Sequence, residues 1–257
     1  MTLADVGNCA RFAATPLTVD GTPTQEWLDA LADAPELDLA GCDEIVVVAA
    51  HPDDETLGFG ASIVTLAERG VRVQVVAASD GGASHHGIGL LGRLRLERTR
   101  REELRQATTA LGIPAPICLG LPDGELNEHE QRVEDLLTEI LETSSSRTWI
   151  AATWRGDGHP DHEAVGRAAA TAAQRCGAAL LEYPVWMWHW AKPGDVAVPW
   201  DRLHVVPAAA PAHARKAAAA QCYRSQIQVP EADRADPAPL LPSFVMRRLL
   251  AVKEVVF

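Results

Sequence analysis

Ile45-Val46-Val47-Val48-Ala49-Ala50 leads without a break into His51-Pro52-Asp53-Asp54-Glu55. The β-branched apolar run reads as a buried strand, and a histidine with three acids stands where the chain leaves it. A regular alternation continues from there. Apolar residues at helical spacing (Leu57, Ala61, Val64, Leu66, Ala67) predict a helix over 56–69, stopped by Gly70. Further strands are expected at 71–78, 117–119, 148–152 and 179–183, with helices at 97–111, 131–142 and 162–176. Strands alternating with helices imply right-handed βαβ units and an α/β fold with a mostly parallel central sheet. Residues 1–42, with one short helical candidate at 27–32, read as an N-terminal arm packed on a single domain of residues 43–257. After Trp200 the sequence predicts a helix at 211–223, a Pro-rich loop at 229–242 and a strand-like run to Phe257.

The first motif has a counterpart. His159-Pro160-Asp161-His162 follows the fourth expected strand as His51-Pro52-Asp53-Asp54 follows the first. Ligands of open parallel sheets bind beyond the carboxyl ends of the strands, so two segments a hundred residues apart are expected to meet there. A lone histidine or an Asp-Asp pair is ordinarily a surface or capping feature, and Asp53, Asp54 and Glu55 do suit a helix start. The repetition of histidine, proline and acid between a strand and a helix favours a shared site instead.

Imidazole and carboxylate are zinc ligands, and a hydrolytic zinc site uses three protein ligands with one position left for water. His51, Asp54 and His162 supply two nitrogens and one oxygen, a set that also accepts iron(II), cobalt or nickel. Of the neighbours Asp53 and Asp54, one can bind an ion while the other faces water as a general base. Their mutual repulsion itself calls for a nearby cation. A protonated His159 is placed to polarise a carbonyl, stabilise an oxyanion or protonate a leaving amine, and Asp161 to orient or charge His159.

Composition narrows the partners. The formal net charge of −12 over 257 residues argues against nucleic-acid phosphate and against an anionic membrane surface. Five scattered cysteines without a Cys-x-x-Cys pair read as reduced thiols of a cytoplasmic protein. No apolar run is long enough to span a membrane, and no leader sequence is apparent. A small-molecule partner is expected; a homo-oligomer is left open.

These residues resemble the LmbE-like (PIG-L) zinc-dependent N-deacetylases, whose hallmarks are Ala-His-Pro-Asp-Asp-Glu after the first core strand and His-Pro-Asp-His near the middle. Here they stand at 50–55 and 159–162. Softer similarities are Arg100-Arg-Glu-Glu-Leu104, Leu121-Pro-Asp-Gly-Glu125 and Gln221-Cys-Tyr-Arg-Ser-Gln226, so the likeness covers 44–226. The resemblance implies a Rossmann-like three-layer sandwich and one zinc per chain. It also implies removal of an acyl group, usually acetyl, from an N-acetylglucosamine-like amino sugar or glycoside. It assigns His51, Asp54 and His162 as ligands, Asp53 as general base and His159 as oxyanion or acid residue. One departure is Ser79-Asp80-Gly81-Gly82, where the family often has Thr-Asp-Gly-Glu.

Substrate contacts are expected from three places. Residues 83–87 form a loop at the same sheet edge, with His85 its candidate. In the arginine-rich helix, Arg98 and Arg101 are candidates for a sugar hydroxyl or an anionic group. Trp186, Trp188 and Trp190 share a face under period-two alternation, with Val185, Met187 and His189 on the other. Trp188 and His189 are the candidates from that strand. His129, His204 and His213 read as surface or satisfied core residues. The competing function is a nucleotide-binding oxidoreductase, suggested by Gly58-Phe-Gly60 with Asp80 some way on. Against it, Ile63 stands at the third glycine position, and Asp53, Asp54 and Glu55 would repel a pyrophosphate. Close helix–sheet packing explains the glycines better.

Overall fold

A computed structural model describes residues 7–85, 87–145, 147–228 and 239–257. His86 and most of the expected Pro-rich loop lie outside the described residues. Strand β1 (Glu44–Ala49) runs through the middle of a five-stranded sheet. The other strands are β2 (Arg72–Ser79), β3 (Ile117–Leu121), β4 (Thr148–Thr153) and β5 (Ala179–Tyr183). Their order is β3-β2-β1-β4-β5 and every neighbouring pair is parallel.

The pleat of β1 shows why this sequence needs three layers. Ile45 and Val47 enter one apolar cluster, Val46 and Val48 the other, and all four are buried. The first face is covered by α3 (Asp54–Glu68) and α4 (Gly89–Leu111), which share it with α8 (Ala210–Ala220). The second is covered by α5 (Glu130–Glu142) and α6 (Pro160–Cys176). Helices α1 (Asn8–Ala13) and α2 (Thr24–Ala30) precede the sheet, and α2 gives the fully buried Trp27 to the core. After β5 come α7 (Met187–Trp190), α9 (Arg224–Ile227) and α10 (Ser243–Ala251), and the two-residue strands β6 (His204–Val205) and β7 (Val255–Val256) pair antiparallel. Among the described residues no helix is long and apolar enough to cross a membrane.

This order places the site. From β1 the chain winds outward through β2 and β3 on one side, and β4 and β5 lie on the other. The crevice between the carboxyl ends of β1 and β4 is therefore the reversal point where such sheets bind ligands. His51 lies just past β1 and His159 just past β4.

Three expected elements differ. Helix α4 begins at Gly89, not at 97, because Leu90, Leu91 and Leu94 are exposed and give no amphipathic signal. The run to Phe257 is mostly α10, with strand only at Val255–Val256. The tryptophan segment is no strand: the chain turns after Tyr183 into the short helix α7. The Asp157 carboxylate causes this turn by accepting the Val185, Trp186 and Met187 N–H groups at 2.9–3.0 Å.

Candidate metal centre

The α3 N-terminus presents the first motif. Asp53 is the single non-glycine residue with positive φ among those described, at φ 132° and ψ −27°. A side chain in that region is strained, and such strain gathers at functional sites. The turn sends Asp53 and Asp54 in different directions. Asp53 meets the buried Arg100, whose Nη2 donates to Asp53 Oδ2 at 3.2 Å and to the Pro52 carbonyl at 2.7 Å. Part of the cation that the Asp-Asp pair demands is thus a guanidinium. Asp54 Oδ2 instead accepts the His51 N–H at 2.8 Å and lies 3.4 Å from His51 Nδ1 and 3.3 Å from His162 Nε2.

Those two nitrogens are lone-pair donors. His162 Nδ1 lies 2.8 Å from the buried Asp157 carboxylate, so its proton sits on Nδ1. His162 Nε2 is buried and has no hydrogen-bond partner. His51 Nε2 faces Asp161 Oδ2 at 3.1 Å and Asp123 Oδ1 at 3.0 Å, so its proton sits there and Nδ1 is bare. In the neutral tautomers that these contacts select, two imidazole lone pairs and a carboxylate oxygen therefore face one another. A tetrahedral ion with bonds of about 2.0–2.1 Å has ligand–ligand edges of about 3.3–3.4 Å. The Asp54 distances match such edges, and each ring is backed by a carboxylate as in metal-bound histidines. The donor set fits a divalent ion.

The three imidazoles also converge, with nitrogens of His51, His159 and His162 inside 4.8 Å of one another. Asp54 Oδ2, 3.4 Å from His51 Nδ1 and 3.3 Å from His162 Nε2, is the other candidate donor beside the same two histidines. His159 caps α6, its Nδ1 accepting the Asp161 N–H at 3.3 Å, which leaves Nε2 carrying a proton. Burial, reinforced by charge on His162 and His51, pushes its pKa down to about 3, so it serves as a neutral donor and not as an imidazolium. The Asp161 carboxylate does not orient His159. It accepts the Gly124 and Leu126 N–H groups at 2.8 and 3.1 Å and holds His51.

The pKa shifts follow from the same arrangement. Burial opposes charge on His162, but Asp54 and Asp157 outweigh it and raise its pKa to about 9. Burial likewise opposes charge on His51, yet Asp123, Asp161 and Asp54 hold it well above its ordinary value. Asp54 is held well below the carboxylate range by the two histidines, against its burial. A proton is thus retained where a metal cation would replace it. Asp53 goes the other way, pushed up to about 7 by burial that Arg100 only partly offsets.

A cleft of about 360 Å³ opens over these groups, lined by His51, Asp53, Asp54 and His159. Several expected substrate contacts lie elsewhere. Trp188 is buried edge-on against Trp27 at 5.0 Å, and its carbonyl accepts the Trp27 indole N–H. His189 packs under the N-terminal segment, contacting the Thr15 carbonyl at 3.1 Å and Arg248 at 3.2 Å. His85 and Arg98 line a second cavity on α4, of about 830 Å³. Arg101 pairs with Asp80 at 3.1 Å in the altered loop after β2. The residues that do line the cleft include Trp186, Ser84, Asp123 and Arg100. Arg100, Asp123 and Asp157 were not singled out from the sequence.

The dinucleotide alternative meets a filled position. Asp53, Asp54 and Glu55 are all buried at the helix start where a pyrophosphate would dock. A side chain at Gly58 would collide with Tyr183 and Val185, so this glycine serves close packing of α3 on β5.

The family model described as PIG-L, GlcNAc-PI de-N-acetylase, matches residues 46–173. The uncharacterized deacetylase YaiS of Escherichia coli K12 is 30% identical over 134 residues, which cover 51% of this chain and 68% of that protein. The 1D-myo-inositol 2-acetamido-2-deoxy-alpha-D-glucopyranoside deacetylase of Mycobacterium sp. strain KMS is 31% identical over 169 residues, 56% of this chain and 53% of that one. The matches thus span about half to two thirds of the length of these curated relatives. Among solved structures, the zinc-inhibited form of teicoplanin deacetylase Orf2 superposes with a TM-score of 0.58 at 20% identity, over 74% of this chain and 88% of that one. That likeness speaks for the fold.

Proposed function

The chain belongs to the PIG-L (GlcNAc-PI de-N-acetylase) family, and from that membership we propose that it is a metal-dependent hydrolase removing an N-acyl group, acetyl in the simplest case, from an amino sugar or glycoside. In this reading zinc is the ion, one per chain, held by His51, Asp54 and His162. The observation that carries it is the meeting of two bare imidazole nitrogens with one Asp54 oxygen at 3.4 and 3.3 Å. A cytoplasmic setting belongs to the same proposal, supported by five cysteines that are all free thiols. So does a single domain over 43–257 with residues 1–42 as its arm.

A bound divalent ion supplies a Lewis acid for the acyl carbonyl and acidifies water. Asp53 takes the proton of the attacking water. Its exposure to the cleft, its raised pKa and the Arg100 contact that fixes one oxygen support that role. His159 donates its Nε2 proton in a hydrogen bond to the carbonyl oxygen as negative charge develops there. The proton collected by Asp53 passes to the departing nitrogen, so the amine and the carboxylic acid separate as complete molecules.

Replacing Asp53 by Asn tests the assignment. The variant is expected to keep its metal and to lose about 10²–10⁴ in kcat. A near-normal rate would remove Asp53 as the base. Activity requires the Asp53 carboxylate, so it is lost as pH falls through that pKa. The value of about 7 belongs to the protein without an ion, and a cation draws it down. The acidic limb of the pH–rate profile is therefore expected at or below about pH 7.

A further inference from the structure

The floor and the walls of the cleft come from different parts of the chain. His51, Asp53, Asp54 and His159 lie inside the family-matched residues 46–173. Phe12, Leu17, Trp186 and Leu241 lie outside them and make an apolar wall. Ser84, Arg100 and Asp123 make the polar wall. The Phe12 and Trp186 rings are 5.0 Å apart, and the Phe12 ring is 6.3 Å from that of His159. An aromatic pair therefore stands beside the proposed carbonyl donor.

The apolar wall is fixed in place. Asn8 Nδ2 donates to the Gly156 carbonyl at 2.8 Å, Arg11 pairs with Asp195 and lies 4.5 Å over the Trp190 ring, and the Thr22 N–H reaches the His189 carbonyl at 3.3 Å. Gly158, at φ 91°, has no side chain where Phe12 Cβ and the Asn8 carbonyl approach. Leu241 is tied by its N–H to the Gln226 carbonyl at 2.9 Å. Phe12, Leu17 and Trp186 stay partly exposed while Leu241 is buried, and apolar surface left open to water in a cleft favours a ligand that covers it with apolar surface. A bare amino sugar offers hydroxyls and one modestly apolar ring face, enough for one aromatic ring and not for the leucines as well.

We propose that the substrate carries an alkyl or aryl group close to the scissile amide, seated on Phe12, Trp186, Leu17 and Leu241, with Phe12 and Trp186 as specificity determinants. This rests on the deacylase reading for its chemistry, though not for its binding. The apolar group can be the aglycone or the acyl chain, and the experiment separates them.

The test compares kcat/KM for N-acetylglucosamine, phenyl N-acetylglucosaminide and N-octanoylglucosamine on the zinc-loaded protein. At least one apolar substrate is expected to exceed the free sugar by about tenfold or more. A phenyl preference identifies the aglycone, an octanoyl preference the acyl chain. Phe12→Ala, and independently Trp186→Ala, are expected to erase most of that advantage through KM. Calorimetry with phenyl glucoside, which has no amide, is expected to show tighter binding than glucose and weakening by Phe12→Ala. No preference among the substrates, together with equal binding of the two glucosides, overturns the proposal. So does an equal loss on all substrates in both variants, which would mean structural support only. Binding of phenyl glucoside without turnover of any amide supports the apolar wall and contradicts the deacylase reading.

Discussion

His162, the proposed ligand from the second motif, is held by its other ring nitrogen. Its Nδ1 is committed to Asp157, and the same carboxylate gathers three N–H groups at the start of α7. His162→Ala is expected to abolish stoichiometric metal, measured by elemental analysis of the purified protein; retained metal would break the ligand set. Asp157→Asn leaves the ligand in place but weakens its backing, and should lower metal affinity about 10–100-fold in a chelator competition. An unchanged affinity would reduce Asp157 to a helix cap. Two histidine motifs made His51, Asp54 and His162 readable in the sequence as neighbours. Asp157 was not, because a lone acid in a Gly-rich loop reads as a turn. Arg100 was hidden among six arginines between residues 93 and 105, and only burial distinguishes it from Arg98 and Arg101. Asp161 was seen, but its partner is His51, a choice set by the Gly124 and Leu126 N–H groups that fix its carboxylate.

The strands and their helices followed from periodicity and turn signals; β1, β2 and β4 are largely buried runs, and β3 and β5 are the less buried sheet edges. The tryptophan segment did not, because alternate tryptophans look like a strand face whether or not the backbone is extended. What bends it is a carboxylate 28 to 30 residues earlier in the chain. Trp188, wedged on Trp27, is then a packing residue. Trp188→Ala should cost about 3–5 kcal/mol of stability by chemical denaturation. A stable variant with a raised KM would return Trp188 to the substrate cleft. Gly158 belongs to the loop that joins β4 to α6 and admits the N-terminal segment. An added Cβ there would lie 2.8 Å from Trp190 Nε1 and 2.9 Å from Phe12 Cβ, so Gly158→Ala should lower the melting temperature and displace Phe12.

At the scale of the whole molecule, α8 and the C-terminal segment are tied to α3 by a buried charge pair that does not line the cleft. Lys216 on α8 lies 2.8 Å from Glu254, and Glu254 also accepts the Ala61 and Ser62 N–H groups of α3 at 2.9 and 2.7 Å. Lys216→Met would leave that carboxylate without its cation and should cost about 3–5 kcal/mol. The sequence offered no sign of this pair, since both partners look like ordinary surface residues. The reversal of strand order that brings the motifs together was readable only as a tendency of parallel sheets, and the order β3-β2-β1-β4-β5 turns it into a crevice. The proposal that this crevice hydrolyses N-acyl amino sugars through a bound ion is tested most directly by acetate release. The measurement uses a panel of N-acetylated amino sugars and glycosides, with the protein stripped of metal and then titrated with zinc. Acetate release that is absent in the stripped protein and rises to a plateau at one zinc per chain is the predicted result. Release that is indifferent to metal, or none from any member of the panel at full zinc occupancy, would contradict it.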